Sequence, residues 1–251
     1  MPVPRRIEIV GDVVRRPAAA STPTVHSLLR HLFAAGLPVP EPLGIEAGVE
    51  TVRFLPGDAG EGAWPHQTTT AGVRSAGRLL RAVHDATLSW SPPADAVWAV
   101  PAEPGVGGVL CHGDPKPPNM TWNRGRAVGL FDWDDARPAP RLSDVAYALQ
   151  WIAPFFEDDA ELRRRGLPVG VDVMARAEAF LDGYGWSEPF DVLAAVTARR
   201  RQAINDVTYL GERGVEPSAT WVVQGWPQRW LDSMTAHPHY RSSPGPPAIG
   251  D

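Results

Sequence analysis

Two short apolar segments near the middle of the chain, each followed by polar residues, constrain its fold more than any other feature. Residues 109–111 stop at His112-Gly113, and residues 128–131 stop at Asp132. Each segment is typical of a buried strand that ends in a loop. We therefore expect both polar clusters to emerge at strand ends.

The stretch between these segments predicts a β-hairpin. Residues 120–122 are predicted to form another short strand, and Asn123-Arg-Gly-Arg126 has the composition of a turn. Such a hairpin would fold Asp132 back beside Asn119. A carboxylate and a side-chain amide so placed are oxygen ligands for a hard cation such as magnesium, with room for waters and nucleotide phosphates.

Asp114 precedes Asn119 by five residues and would then be free to act as a base. Its task would be to orient an acceptor hydroxyl and take its proton late, while cations absorb the charge of a transferring phosphoryl group. Lys116 is the only lysine among the 24 lysine and arginine residues of the chain. Its ammonium can reach phosphoryl oxygens as a point charge, and a solvated loop lysine is the alternative interpretation.

The segments His112-Gly-Asp-Pro-Lys-Pro-Pro-Asn119 and Phe131-Asp-Trp-Asp134 resemble motifs of the aminoglycoside and choline kinase branch of the protein-kinase-like fold. The resemblance covers residues 40–155. It implies that Asp114 is the catalytic base, that Asn119 and Asp132 bind Mg²⁺ with Asp134 as a further ligand, and that ATP is the phosphoryl donor. In that family a later aspartate braces the loop that carries the base, and Asp144 is the matching residue here.

The resemblance also implies an α+β, bilobal fold with a reduced N-terminal β-rich lobe and a mainly helical C-terminal lobe. We expect a nucleotide-binding-type lobe at residues 1–57, a catalytic and substrate lobe at 58–239 and a disordered tail at 240–251. Phe54 and Leu55 lie at the hinge where the family binds adenine, so they are predicted nucleotide contacts.

The first lobe departs from the family's pattern. No G-x-G-x-x-G sequence follows its first strand, and it contains no lysine. Arg15 or Arg16 is predicted to replace the family's strand lysine, with exposed hairpin charges as the alternative. The helix predicted over residues 22–36 has no Asp or Glu for the ion pair that the family forms with that lysine.

Hydrophobic periodicity and turn residues place the remaining elements. His84 closes the apolar stripe of its helix and resembles a structural histidine of the family. A rigid loop is predicted at 137–140 and a helix capped by Ser143 after it. The other predicted elements are strands at 7–10, 13–15, 43–46 and 50–55, and helices at 69–86, 173–184, 192–210 and 219–234, the last bent at Pro227.

Composition excludes several classes of function. The net charge of -5 and pI of about 5.8 argue against nucleic-acid binding. The single cysteine, Cys111, excludes an internal disulfide. No apolar run has the length of a membrane span or follows the N-terminus as a signal core, so we expect a cytoplasmic monomer or homodimer without a membrane partner.

Two functions follow as hypotheses. The first is an ATP- and Mg²⁺-dependent phosphotransferase that acts on a hydroxyl of a small molecule, such as an aminoglycoside, another antibiotic or a metabolite, with antibiotic resistance as its role. The second is a catalytically impaired kinase-fold binding or toxin-immunity protein, favoured by the reduced first lobe. The nature of the acceptor stays open. Acids at 157–159, 206 and 212 would suit a cationic substrate, whereas tryptophans at 151, 221, 226 and 230 could line an apolar pocket.

Overall fold

The computed structural model describes residues 7–103 and 108–236. The chain divides into two compact units, of which the first ends at Glu188 and the second begins at Pro189. The lobe boundary predicted after residue 57 stays a prediction. The predicted tail at 240–251 lies outside the described residues.

An antiparallel sheet of four strands, ordered β1-β2-β4-β3, opens the first unit. Val10 pairs with Val13, so Gly11-Asp12 forms the predicted two-residue loop, and Gly11 supplies a positive φ of 62°. The predicted elements are confirmed with small shifts at their ends: β1 (Glu8–Val10), β2 (Val13–Pro17), helix α1 (Thr22–Ala34), β3 (Pro42–Glu46) and β4 (Val49–Arg53).

Helix α1 packs one face into the core of this unit. Pro23 lies in its first turn, where the missing N–H is no loss, and Ser21 holds the N-cap position. The buried residues recur at helical spacing, and one of them, His26, is a titratable group in an otherwise mainly apolar face: Thr22, Thr24, Val25, His26, Leu28, Leu29 and Leu32.

Two ribbons of two strands carry the central motifs. Strand β6 (Met120–Asn123) pairs with β7 (Arg126–Leu130), which confirms the predicted hairpin. Strand β5 (Gly108–Cys111) pairs with β8 (Arg137–Pro140), so the prediction of a loop over 137–140 was wrong. In a ribbon of two strands both are edge strands, and an edge strand tolerates prolines because it has unpaired positions.

Helices α2 (Thr70–Thr87) and α5 (Val173–Tyr184) meet backbone to backbone. A Cβ on Gly77 would come within 2.3 Å of the carbonyl oxygen of Phe180, and one on Gly183 within 2.2 Å of that of Arg74. Since real Cβ atoms do not approach so closely, glycine at both positions sets the spacing of the two helices.

The other α-helices among the described residues of the first unit are α3 (Arg141–Ile152) and α4 (Asp159–Arg164). The prediction that Ser143 caps α3 was wrong, because the helix begins at Arg141, before Ser143. Ser143 is buried, and its hydroxyl donates to Glu103 at 2.8 Å.

The second unit contains α6 (Val192–Glu212), α7 (Ser218–Val223) and α8 (Trp226–Ala236). The prediction of one helix bent at Pro227 was wrong. The break falls at Gly225, which has a φ of 73°, and Pro227 lies in the first turn of α8, a position that proline favours. Within residues 7–103 and 108–236, none of the helices combines the length and the apolar character needed to cross a bilayer.

Candidate active site

A loop of residues 112–119, called the catalytic loop below, follows β5 and is held by one carboxylate. Oδ2 of Asp144 accepts a hydrogen bond from the backbone N–H of His112 at 2.6 Å, and Oδ1 accepts one from Gly113 at 2.9 Å. Nε2 of His84 lies 3.1 Å from Oδ2. Burial acts to raise the pKa of Asp144, but His84, His112 and the Gly113 N–H together lower it to about 2. Asp144 therefore anchors the loop as a carboxylate.

Gly113 brings the catalytic loop against the segment that follows the β6–β7 hairpin. Its φ is 88°, and a Cβ built on it would lie 2.1 Å from the carbonyl oxygen of Asp135. Any other residue would be strained by the backbone conformation and would also clash with Asp135.

Within the loop, Asp114, Lys116 and Asn119 contact one another. Nζ of Lys116 donates to Oδ2 of Asp114 at 2.5 Å, and Nδ2 of Asn119 donates to the same oxygen at 2.8 Å. Burial acts to lower the pKa of Lys116, but the carboxylates of Asp114, Asp132 and Asp135 together outweigh it and the pKa is raised. Oδ1 of Asp114 is buried and has no hydrogen-bond partner among the described residues. One oxygen of Asp114 is thus held by two donors, whereas the other has no donor among the described residues.

The β6–β7 hairpin delivers Asp132 to this loop, as predicted. The N–H of Phe131 donates to the carbonyl oxygen of Asn119 at 2.9 Å, so Asp132 follows directly on a residue bonded to Asn119. Asp132 has a φ of 66°, in the left-handed region that aspartate tolerates better than most residues. The neighbouring Trp133 is buried, whereas the Asp132 side chain keeps 42% of its surface exposed.

Arg16 on β2 lies between β4 and the carboxylates of Asp132 and Asp134. Its Nε donates to Glu50, its Nη1 lies 3.2 Å from Oδ1 of Asp132, and its Nη2 lies 2.7 Å from Oδ1 of Asp134. Burial acts to lower the pKa of Arg16, but the three carboxylates outweigh it and the pKa is raised. Arg15, its neighbour in sequence, is exposed.

Negative charge exceeds positive charge at this site. The cations Arg16 and Lys116 face the carboxylates of Glu50, Asp114, Asp132 and Asp134, so carboxylates outnumber cations by four to two within this set. The pKa of Asp132 is raised, first by partial burial and then by the charge of Asp134. The site is therefore suited to a divalent cation.

The predicted hinge residues follow β4. The N–H of Phe54 donates to the carbonyl oxygen of Asp12 at 2.7 Å, and its side chain is exposed. Leu55 packs on the hairpin, since a Cβ on Gly129 would come within 2.5 Å of its side chain. Leu55 thus contacts the element that carries Asp132, while Phe54 is open to solvent.

A second group of metal-ligand type residues is structural. One ligand atom each of His84, Cys111 and Asp144 lies within 4.8 Å of the others. Both oxygens of Asp144 already accept hydrogen bonds, however, and Nδ1 of His84 lies 2.8 Å from the hydroxyl of Tyr184. These contacts agree with the structural role predicted for His84.

Sequence reasoning missed Glu50 and His26. Glu50 is buried and stands directly opposite Arg16 in the register of β2 and β4. Oε2 of Glu50 lies 3.0 Å from Nε2 of His26 on α1. The acid that pairs with Arg16 lies on a strand instead of on α1, and α1 contributes a histidine. Pairing β2 with β4 in register would have revealed the acid.

Solved structures of low sequence identity share the fold. An amicoumacin kinase, solved with AMP-PNP, Ca²⁺ and amicoumacin, is 15% identical with a TM-score of 0.59 over 92% of this chain and 85% of that one. A choline/ethanolamine kinase family protein from Mesorhizobium loti is 16% identical, with a TM-score of 0.55 over 96% and 88% of the two chains. The α+β, protein-kinase-like fold predicted from the sequence is confirmed.

Sequence comparison identifies the family. The trifolitoxin immunity protein of Rhizobium leguminosarum bv. trifolii is 34% identical over 185 residues, 70% of this chain and 69% of that protein. The sequence model of the phosphotransferase enzyme family matches residues 8–101 and 92–184, two overlapping segments that include every residue of the site described above. The chain therefore belongs to the phosphotransferase enzyme family.

Proposed function

We propose that this protein transfers the γ-phosphoryl group of ATP to a hydroxyl of a small molecule, with Mg²⁺ as the metal. One observation carries the proposal: Asn119 donates its side-chain N–H to Asp114 and accepts at its backbone the N–H of Phe131, next to Asp132. The base and the metal-binding residues of the proposed reaction are thus joined in one hydrogen-bonded network. Family membership supports the same reaction class.

The donor set fits Mg²⁺. Asp132 and Asn119 supply oxygen atoms of the kind that hard cations prefer, with Asp134 as a further carboxylate, and the excess of carboxylates over cations among these residues favours a divalent ion. When bound, the ion would neutralise phosphate oxygens during transfer. Because Arg16 contacts Asp132 and Asp134 here, we expect its guanidinium to exchange these partners for phosphate oxygens when nucleotide and metal bind.

Asp114 is the proposed base. Lys116 and Asn119 fix Oδ2, and Oδ1 accepts a hydrogen bond from the hydroxyl of the substrate. The hydroxyl oxygen forms a bond to the γ-phosphorus, the bond to the ADP oxygen breaks, and the proton passes to Asp114 late in the reaction. Lys116 places its charge beside the transferring group.

Nucleotide contacts are proposed from the first strands and the hinge. Arg16 lies at the site, so of the two predicted arginines it is the one that replaces the family's lysine here. The exposed side chain of Phe54 and the neighbouring Leu55 are proposed to contact the adenine. The role predicted for Arg15 stays a prediction.

Substitution Asp114→Asn tests the proposal. Release of ADP from Mg-ATP should be measured against a panel of hydroxylated antibiotics that includes aminoglycosides. Removing the base should lower kcat by about 10²- to 10⁴-fold, because general-base catalysis contributes that much, while leaving the melting temperature close to that of the wild type. Asp182→Asn, at an exposed residue of α5 that pairs with Arg74, is the matched control. Equal rates for Asp114→Asn and the wild type would contradict the assignment of the base.

A second candidate function is immunity to a toxin by binding alone. The observation that favours it is the similarity to the trifolitoxin immunity protein. A protein that protects only by binding keeps its protective effect after Asp114→Asn, whereas one that phosphorylates the toxin loses it. Survival of sensitive cells that express the two forms separates these mechanisms.

A further inference from the structure

The guanidinium of Arg16 has a buried partner at its Nε and solvent-accessible partners at Nη1 and Nη2. Its Nε donates to Oε1 of Glu50, whereas Nη1 and Nη2 point to the carboxylates of Asp132 and Asp134. Glu50 is 2% exposed and the Asp132 side chain is 42% exposed. The two ends of one side chain thus meet a buried partner and a solvent-accessible one.

The anchor at Glu50 is built into the sheet. Arg16 and Glu50 are direct cross-strand partners in the antiparallel pair of β2 and β4, and such partners have neighbouring Cβ atoms. The ion pair therefore needs no contribution from the helix that the family normally uses. Strand pairing alone places the acid beside the arginine.

Helix α1 supports the anchor from behind. Nε2 of His26 lies 3.0 Å from Oε2 of Glu50, and both side chains are buried. Because a carboxylate only accepts hydrogen bonds, Nε2 of His26 must be the donor. Both oxygens of Glu50 are then engaged, one by Arg16 and the other by His26, so the orientation of the carboxylate is fixed.

We propose that Glu50 and His26 are positioning residues for the phosphate-binding cation of this protein: His26 orients Glu50, and Glu50 holds Arg16 by Nε so that Nη1 and Nη2 face the nucleotide phosphates. This inference rests on the proposed function. It replaces the lysine and helix glutamate of related kinases by an arginine, a strand glutamate and a helix histidine. The order of contacts along the chain of residues is His26, Glu50, Arg16 and then phosphate.

A double-mutant cycle on Mg-ATP affinity tests the link between Glu50 and Arg16. Isothermal titration calorimetry should give a Kd about tenfold higher for Arg16→Met, since a charge-assisted contact is lost, and a smaller increase for Glu50→Gln. If Glu50 acts through Arg16, the double variant binds no worse than Arg16→Met alone. Glu41→Gln, which alters an exposed ion pair with Arg53 in the same sheet, is the matched control and should bind as the wild type does.

A pair of variants at His26 tests the other link and does not depend on whether Glu50→Gln folds. The amide nitrogen of glutamine can reach the place of Nε2, so His26→Gln should keep the Kd within about twofold of the wild type. His26→Leu removes the donor and should raise the Kd about threefold or more. In both series the KM for ATP should change more than kcat, because the proposed role is to place a cation rather than to react.

The outcomes separate the inference from the proposed function. Additive effects of Arg16→Met and Glu50→Gln, or equal affinities for His26→Gln and His26→Leu, would contradict the positioning roles while nucleotide binding stands. A wild-type protein that binds neither Mg-ATP nor Mg-GTP at millimolar concentration would contradict the proposed function, and the positioning roles with it.

Discussion

Asp144 and Asp132 are the same chemical group at two ends of one site, and the protein holds them in opposite ways. Asp144 is fully buried, accepts hydrogen bonds from two backbone N–H groups and His84, and has a pKa lowered to about 2. Asp132 is partly exposed, lies beside Asp134 and has a raised pKa. The first carboxylate is a fixed part of the framework, while the second is open to solvent.

The largest effect is expected where the framework carboxylate is altered. Asp144→Asn turns one hydrogen-bond acceptor into a donor that faces N–H groups in a buried position, so the free energy of unfolding should fall by about 3–5 kcal/mol. Urea denaturation followed by circular dichroism measures the change. Asp182→Asn, at an exposed ion pair, should change it by less than about 1 kcal/mol. If Asp144→Asn lowered the free energy of unfolding by as little as Asp182→Asn does, the assignment of Asp144 to the framework would be contradicted.

The pH dependence of stability should reveal the same contrast. The pKa of Asp144 is about 2 in the folded protein and near 4 in the unfolded chain, so its contribution is complete above about pH 4 and is lost as the pH falls toward 2. The contribution is about 2–3 kcal/mol. The difference in unfolding free energy between the wild type and Asp144→Asn, measured from pH 6 to pH 2, should narrow over this range. A constant difference would contradict the assignment.

The effect of Mg²⁺ alone on the melting temperature tests the role of Asp132 and Asp134. In the wild type a cation must compete with Arg16 for Asp132 and Asp134, so Arg16→Met should be stabilised more by millimolar Mg²⁺ than the wild type is. The extra increase in melting temperature should be a few degrees, which is about 1 kcal/mol for a chain of this size. Arg74→Met, at an exposed ion pair on α2, should respond as the wild type does. Equal responses of all three proteins would argue against a metal at these carboxylates.

The smallest change in stability is expected at Lys116. Its ion pair with Asp114 is partly exposed, so Lys116→Met should alter the free energy of unfolding by less than about 1 kcal/mol. The same variant should lower kcat, because the ammonium lies beside the proposed base. Thermal unfolding together with the ADP-release assay separates the two effects. A large loss of stability would place Lys116 with the framework rather than with the reacting groups.

Local patterns were enough to predict the parts of the fold and site that depend on short stretches of chain. The apolar runs before His112 and Asp132 and the turn between them predicted the hairpin that brings Asn119 and Asp132 together. Two elements were mistaken: residues 137–140 are a strand because β5 pairs with them, and the helix predicted over 219–234 is broken at Gly225 rather than bent at Pro227.

The partner of Arg16 could not be found by reading one helix. Glu50 becomes visible only when β2 is aligned with β4, and His26 only when α1 is packed on the sheet. These contacts join residues 34 and 24 positions apart, so no local pattern contains them. The missed residues are the ones whose chemistry depends on pairing between distant segments.

The glycine contact between α2 and α5 extends the influence of the site well beyond its own residues. Gly77 and Gly183 fix how closely the two helices approach, and the same helices carry His84 and Tyr184, which are bonded to each other. His84 in turn contacts Asp144. A methyl group added at either glycine would push the helices apart. The side chains of Tyr184, His84 and Asp144 connect these helices to the backbone of His112 and Gly113, so that backbone should shift as well. Loss-of-function substitutions should therefore be found at two residues that no substrate touches.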